Sequence, residues 1–147
     1  VLMQHTDSPA AIQTAEKKGV FAFGQASDMV KFGPKAQLTA IVDDWGPYYV
    51  SRVKAVMDGT WKSQDTWDGI GPGMVVMAPF SKRIPENVRA MAAKARDAIA
   101  SGKLHPFTGP INKQDGSPWL KAGETAQDGA LAGMNFYVEG VEGSLPK

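Results

Sequence analysis

The sequence predicts an α/β fold of three layers, with helices on both faces of a mostly parallel sheet. Short apolar runs bounded by turn residues alternate with segments of helical period, and the first two runs flank a helix long enough to serve as a crossover. Over 147 residues the composition is globular, 43% hydrophobic and 21% charged.

Val1–Met3 reads as a short buried strand that breaks into the polar row Gln4, His5, Thr6, Asp7 and Ser8. A helix starts near Ser8, with Asp7 or Ser8 as N-cap and Pro9 in the first turn, where its missing N–H costs nothing. Ala11, Ile12 and Ala15 form its inner stripe, Lys17 and Lys18 sit at the negative end of the helix dipole, and Gly19 suits a left-handed stop. Val20–Gly24 is the next strand, and a strand-helix-strand unit of this kind joins parallel strands right-handedly.

Ala36–Val42 is a third strand, followed by a helix from Pro47 to Gly59 with Tyr49, Val50, Val53, Val56 and Met57 on its apolar face. Gly73–Phe80 is a fourth strand. Pro85 and Glu86 then open a helix that carries Ile84, Val88, Met91, Ala92, Ala95 and Ile99 at helical spacing and stops at Ser101-Gly102. Beyond Leu104 glycine and proline recur, which favours short strands and turns, with one short helix in "TAQDGALAGM". No internal repeat or low-complexity segment interrupts the chain.

The net charge is +1, from 16 basic and 15 acidic residues without long runs, so neither nucleic acid nor an anionic membrane is an expected partner. No cysteine is present, which removes disulfides, thiolate metal sites and a cysteine nucleophile. No apolar run approaches the roughly 18 residues of a membrane span. His5 and His105 lie far apart, and HExxH, GxSxG, P-loop and GxGxxG patterns are all missing. The glycines of "DGIGPGM" lead into a strand and not a helix, so they make no phosphate cradle. A binding protein with no cofactor and no metal fits better than an enzyme.

Ligands of open parallel sheets bind beyond the carboxyl ends of the strands. That rule selects Gln4, His5, Thr6 and Asp7 after the first strand, Gly24, Gln25, Ser27 and Asp28 after the second, and Asp43, Asp44 and Trp45 after the third. Amides, hydroxyls and carboxylates beside an aromatic ring suit the polar edge and flat face of a small planar ligand. Asp7 and Ser8 favour capping over binding. His5 stands between ligand contact and a satisfied histidine, Asp28 has a merely solvated reading, and Trp45 is either a stacking ring or a staple at the helix entry. Trp61, Trp67 and Trp119 read as packing residues.

The segments "QHTDSPAAIQTAEKKGVFAFGQASDM", "KAQLTAIVDDWGPYYVSRVKAVMDGTW", "HPFTGPINKQDG" and "GMNFYVEGVEGSLPK" together resemble the C-terminal half of the basic membrane protein family. These bacterial substrate-binding lipoproteins are the purine or purine-nucleoside receptors of ABC importers. The resemblance implies a type I periplasmic binding fold, in which two lobes close on ligand about a hinge of crossing strands and present it to a permease in the inner membrane. It implies that residues 1–43 belong to the second lobe, that 44–80 return to the first with a helix and the Met74–Met77 strand, and that 81–147 supply a second-lobe helix and a C-terminal extension. The N-terminal lobe would lie upstream, with a lipid-bearing cysteine anchoring the protein in the periplasm or on the outer face of the cytoplasmic membrane.

Nucleoside-binding members typically carry an aspartate-rich turn where this chain reads Gln25-Ala26-Ser27-Asp28, and a lysine where it has Asp43. The later acid is kept, while Ala26 and Asp43 replace groups suited to ribose hydroxyls, which shifts the expectation towards a free base. Asp43 or Asp28 would accept from the purine edge, Gln4, His5 and Thr6 would add polar contacts, and Trp45 would stack or close one side. The alternative is a hydrolytic enzyme domain acting on nucleosides or sugars, with Asp28 and Asp43 as acid and base. The sensing core of a transcription regulator shares the fold, but a basic DNA-binding head is not in evidence.

Overall fold

In the computed structural model, which describes residues 1–145, the strand-helix-strand opening forms with shorter strands than its apolar runs suggest. Of Val1–Met3 only Leu2 pairs, in parallel with Ala22. Its N–H donates to the Phe21 carbonyl at 2.8 Å and its own carbonyl accepts from Phe23 N–H at 3.1 Å. A parallel ladder would next set the Gln4 N–H on the Phe23 carbonyl, and the Gln4 side-chain amide takes that place at 3.2 Å.

Helix α1 (Ala10–Lys18) begins later than expected because Pro9 occupies the N-cap position, and Ser8 is the candidate that caps, its Oγ accepting from the Ala10 N–H at 3.2 Å. The C-terminus closes as the lysine-glycine pattern predicts. Gly19 has φ 65°, its N–H reaches the Glu16 carbonyl at 3.2 Å, and the Val20 N–H reaches the Ala15 carbonyl at 3.0 Å.

Strand β1 (Ala22–Gly24) pairs in parallel with β2 (Gln37–Asp43), with Ala22 opposite Gln37, Gly24 opposite Ala40 and an irregularity between them. Strand β3 (Val75–Met77) runs antiparallel to β2, Ile41 facing Met77 and Asp43 facing Val75. The order is β1-β2-β3, with Leu2 on the outer edge of β1. The sheet is therefore mixed, and the mostly parallel expectation holds only as far as β2. After β2 the chain forms α2 (Gly46–Met57) and then returns beside the end it left, Asp44 N–H meeting the Met74 carbonyl at 2.8 Å. A strand that starts there has to run backwards. It is also shorter than the apolar run Gly73–Phe80: Pro79 lacks an N–H, and the Ala78 carbonyl is taken by Thr39 Oγ1 at 2.7 Å.

The core is built from small residues. Ile12, Ala15, Ala22, Met29 and Ala36 form the buried cluster between α1 and the β1–β2 pair. Two groups tighten it. Glu16 Oε2 accepts the N–H of Lys35 at 2.9 Å and of Ala36 at 2.7 Å, where β2 is about to begin. Gly24 is buried where a Cβ would lie 2.7 Å from Ala40 Cβ and 2.9 Å from Gln37 Oε1, closer than atoms pack. By contrast α2 and α3 (Glu86–Ala100) bury no residue fully, and the α2 apolar face lies open, up to 79% exposure at Met57.

The chain forms two compact units, Val1–Ala100 and a second that begins at Ser101. In the latter, β4 (Ile111–Asn112) and β5 (Pro118–Leu120) form an antiparallel hairpin and α4 (Asp128–Ala132) supplies the expected short helix. Trp119 packs edge-on between Phe107 and Phe136, at centroid distances of 5.7 and 5.0 Å, as a packing residue should. Trp61 and Trp67 do not: Trp67 is 64% exposed. In the hairpin turn the Ser117 hydroxyl and N–H donate to Asp115 Oδ1 at 2.6 and 2.9 Å, holding that carboxyl below its usual 3.8.

Gly24→Ala overpacks the β1–β2 contact and should lower stability by about 1–3 kcal/mol, read as a fall in the urea midpoint; an unchanged midpoint would contradict the close approach. Glu16→Ala removes the charged acceptor of the Lys35 N–H and the nearer acceptor of the Ala36 N–H, which also reaches the Gly33 carbonyl at 3.2 Å, and should cost about 1–3 kcal/mol, with Glu16→Gln losing less because an amide oxygen remains. Equal losses in the two variants would show that the carboxylate is not the lock described.

Candidate functional site

The strand-end rule brings some of the selected residues together and removes others. At the tip of β2, Asp43 is half-buried and donates its N–H to the Ala26 carbonyl at 3.0 Å, which ties the loop after β1 to the end of β2. Ala26 itself has φ 60°. A left-handed alanine costs on the order of 1 kcal/mol or more, so its surroundings must hold it there. Gln25 is half-buried and Ser27 exposed beside it, and neither makes a side-chain hydrogen bond among the described residues.

After Leu2 the polar row divides. Gln4 turns inwards, its amide on the Phe23 carbonyl and 3.7 Å from Met29 Sδ, and Thr6 Oγ1 donates to Gln4 Oε1 at 3.1 Å. These bonds give Gln4 and Thr6 a structural task. His5 is exposed, with no partner among the described residues.

Asp28 is drawn away from the tips. Its Oδ1 accepts the Val30 N–H at 3.1 Å and Gln37 Nε2 at 2.7 Å. With Asp28 Oδ1 already holding the Val30 N–H and the Gln37 amide, and no hydrogen bond joining the two carboxylates among the described residues, nothing supports Asp28 and Asp43 as acid and base. Gly24, the last residue of β1, acts through its lack of a side chain, in the ladder against Ala40.

Trp45 forms the N-cap of α2 and joins an aromatic cluster, stacked on Tyr49 at 6.2 Å and edge-on to Tyr48 at 6.0 Å. It remains 44% exposed, so it braces the helix entry and still offers a ring to solvent. The Arg52 guanidinium lies 5.4 Å over the Tyr48 ring, and Asp44, Tyr48, Ser51, Arg52 and Asp68 line part of a cavity of about 270 Å³ at this end of β2. Tyr48 and Arg52 escaped the strand-tip rule because they sit a turn into the helix. Their spacing from Trp45, three and then four further residues, is the signal that would have found them.

Among the described residues no cluster of histidine and acidic side chains could hold a metal ion, and no helix is long and apolar enough to cross a membrane. What the β2 end offers is a half-buried carboxylate, an exposed indole and a polar recess. Such a set suits the polar edge and flat face of a small ligand.

Known proteins are similar to this chain in sequence and in fold. The family model described as Bmp, ABC transporter substrate-binding protein PnrA-like, matches residues 1–107. Over 147 residues the chain is 60% identical to a purine-binding protein of Brucella abortus (strain 2308), covering all of this chain and 42% of that one. It is 25% identical over 146 residues to a candidate ABC transporter glucose-binding protein of Haloferax volcanii, covering 99% of this chain and 35% of that one. The chain thus spans less than half the length of either relative.

Two solved structures are similar in fold. One is a transcriptional activator of the comK gene from Bacillus halodurans, with TM-score 0.59 and 23% identity over 67% of this chain and 35% of that one. The other is an ABC transporter solute-binding protein from Conexibacter woesei DSM 14684, with TM-score 0.50 and 22% identity over 71% of this chain and 36% of that one. The match over most of the chain gives the conclusion: it belongs to the Bmp family of PnrA-like ABC transporter substrate-binding proteins, which are receptors and not enzymes.

Proposed function

We propose that the whole protein is the receptor of an ABC importer and holds a purine base or purine nucleoside between two lobes for delivery to a permease. The observation that carries this reading is the 60% identity, along the full chain, to a purine-binding protein. The β2 end supports it chemically: Asp43 is an acceptor for a ring N–H or exocyclic amine, and Trp45 offers a face for a flat heterocycle. Gln4, His5, Thr6, Gly24, Gln25, Ser27 and Asp28 complete the proposed site, with Gln4, Thr6, Gly24 and Asp28 acting through the framework. An alanine at 26 and an aspartate at 43 favour a free base, since neither offers the acid-lysine pair suited to ribose.

The lobes divide as the resemblance implies, with 1–43 and 81–147 in the second and 44–80 returning to the first. The open apolar face of α2 supports this, because a helix face of valines and Met57 is what a covering lobe would bury. The receptor works in the periplasm or on the outer face of the cytoplasmic membrane, held there by a lipid on an upstream cysteine.

Calorimetry on the whole protein with adenine, hypoxanthine, adenosine and glucose tests the reading. A purine base should bind most tightly. Asp43→Ala should weaken it about 10- to 100-fold, the loss of a charge-assisted hydrogen bond of about 1.5–3 kcal/mol. Binding of glucose without purines would overturn the ligand, and an unaltered Asp43→Ala affinity would remove Asp43 from the site. Native mass spectrometry of residues 1–147 alone checks the lobe division: the exposed α2 face should drive association, whereas a compact, monodisperse 15.7 kDa monomer would contradict it.

A further inference from the structure

We propose that Ala26 is a positioning residue of this site, acting through its backbone: its left-handed conformation turns its carbonyl onto the Asp43 amide and locks the tip of β2 to the loop after β1. The inference rests on the proposed purine reading only in so far as Asp43 touches the ligand. Ala26 is the one non-glycine residue with positive φ among the described residues. Alanine has no side-chain polar group to make that conformation locally favourable, as asparagine or aspartate would, so the neighbouring structure must impose it.

The imposing contacts are visible on both sides. Before the loop, β1 is pinned by Gln4 on the Phe23 carbonyl and by the tight fit of Gly24 against Ala40. After it, Asp28 is pinned to Gln37. Three residues between fixed ends must reverse direction, and Ala26 absorbs the turn. Its carbonyl then meets the Asp43 N–H at 3.0 Å, beyond the last paired residue of β1. In an extended conformation the residue 26 carbonyl would rotate away, the Asp43 amide would lose its partner, and the carboxylate would stand on a strand end held from the β3 side alone. Residue 26 thereby sets where the Asp43 carboxylate stands without needing to touch ligand.

The test compares variants of the whole protein that tolerate the left-handed region, Ala26→Gly and Ala26→Asn, with two that resist it, Ala26→Val and Ala26→Thr. Two quantities are read: hydrogen exchange at the Asp43 amide without ligand, and the purine base dissociation constant. Glycine and asparagine should keep Asp43 protected and affinity within about threefold; valine and threonine should expose the amide and weaken binding about tenfold or more, while unfolding remains cooperative. The proposal falls if Ala26→Gly or Ala26→Asn loses protection or affinity, a result that does not depend on the β-branched variants folding. It also falls if folded Ala26→Val or Ala26→Thr keeps both. If the parent protein binds no purine, the functional reading fails, and Asp43 exchange across the four variants still decides whether residue 26 positions that strand end.

Discussion

The close approach of β1 to β2 is the contact on which the rest of the first unit depends. Ala22, Gly24, Ala36 and Ala40 carry almost no side chain between the two strands and α1, so the strands can pair in parallel while Ile12 and Ala15 settle directly on them. A seam of small residues yields little hydrophobic energy per residue, and polar clamps complete it. Glu16 binds the two amides that lead into β2, Asp28 binds Gln37, and the Gln4 side chain extends the Leu2 ladder. Each clamp joins chain segments distant in sequence, so each helps to fix register as well as stability.

That arrangement determines what stands at the strand ends. Because β1 stops at Gly24 and β2 continues to Asp43, the longer strand projects, and the loop through Ala26 is folded against it. Asp43 therefore sits on a supported backbone, with Trp45 starting the next helix on its far side. A carboxylate on a braced strand loses less entropy on meeting any partner than one on a free loop. The same chain then departs into α2, whose valine-rich face is left without a partner among the described residues. The tight seam and the open helix face belong to one continuous segment.

The legible parts of the fold were those decided locally. Lys17-Lys18-Gly19 marked the end of α1 because a left-handed glycine and terminal cations serve any helix, and Pro85-Glu86 and Ser101-Gly102 bracketed α3 for similar reasons. Strand lengths were less legible. Val1–Met3 and Gly73–Phe80 are apolar throughout, yet only Leu2 and Val75–Met77 pair, since pairing depends on which neighbour arrives alongside. The direction of β3 was hidden for the same reason: it follows from the chain re-entering beside Asp44, which periodicity does not encode.

The sequence by itself determined the α/β class, the order of elements, the absence of catalytic motifs and the family, because these reside in residue types and short spacings. Only the tertiary structure decided what each polar residue does. Gln4 and Asp28 looked like ligand contacts by position, but hydrogen bonds to Phe23 and Gln37, 19 and 9 residues away, give them structural work. Asp43 kept its carboxylate without a protein partner among the described residues. Whether a polar group is spent on the fold or left for a ligand depends on which distant backbone group comes within 3 Å or so of it, and the chain has to fold before that is settled.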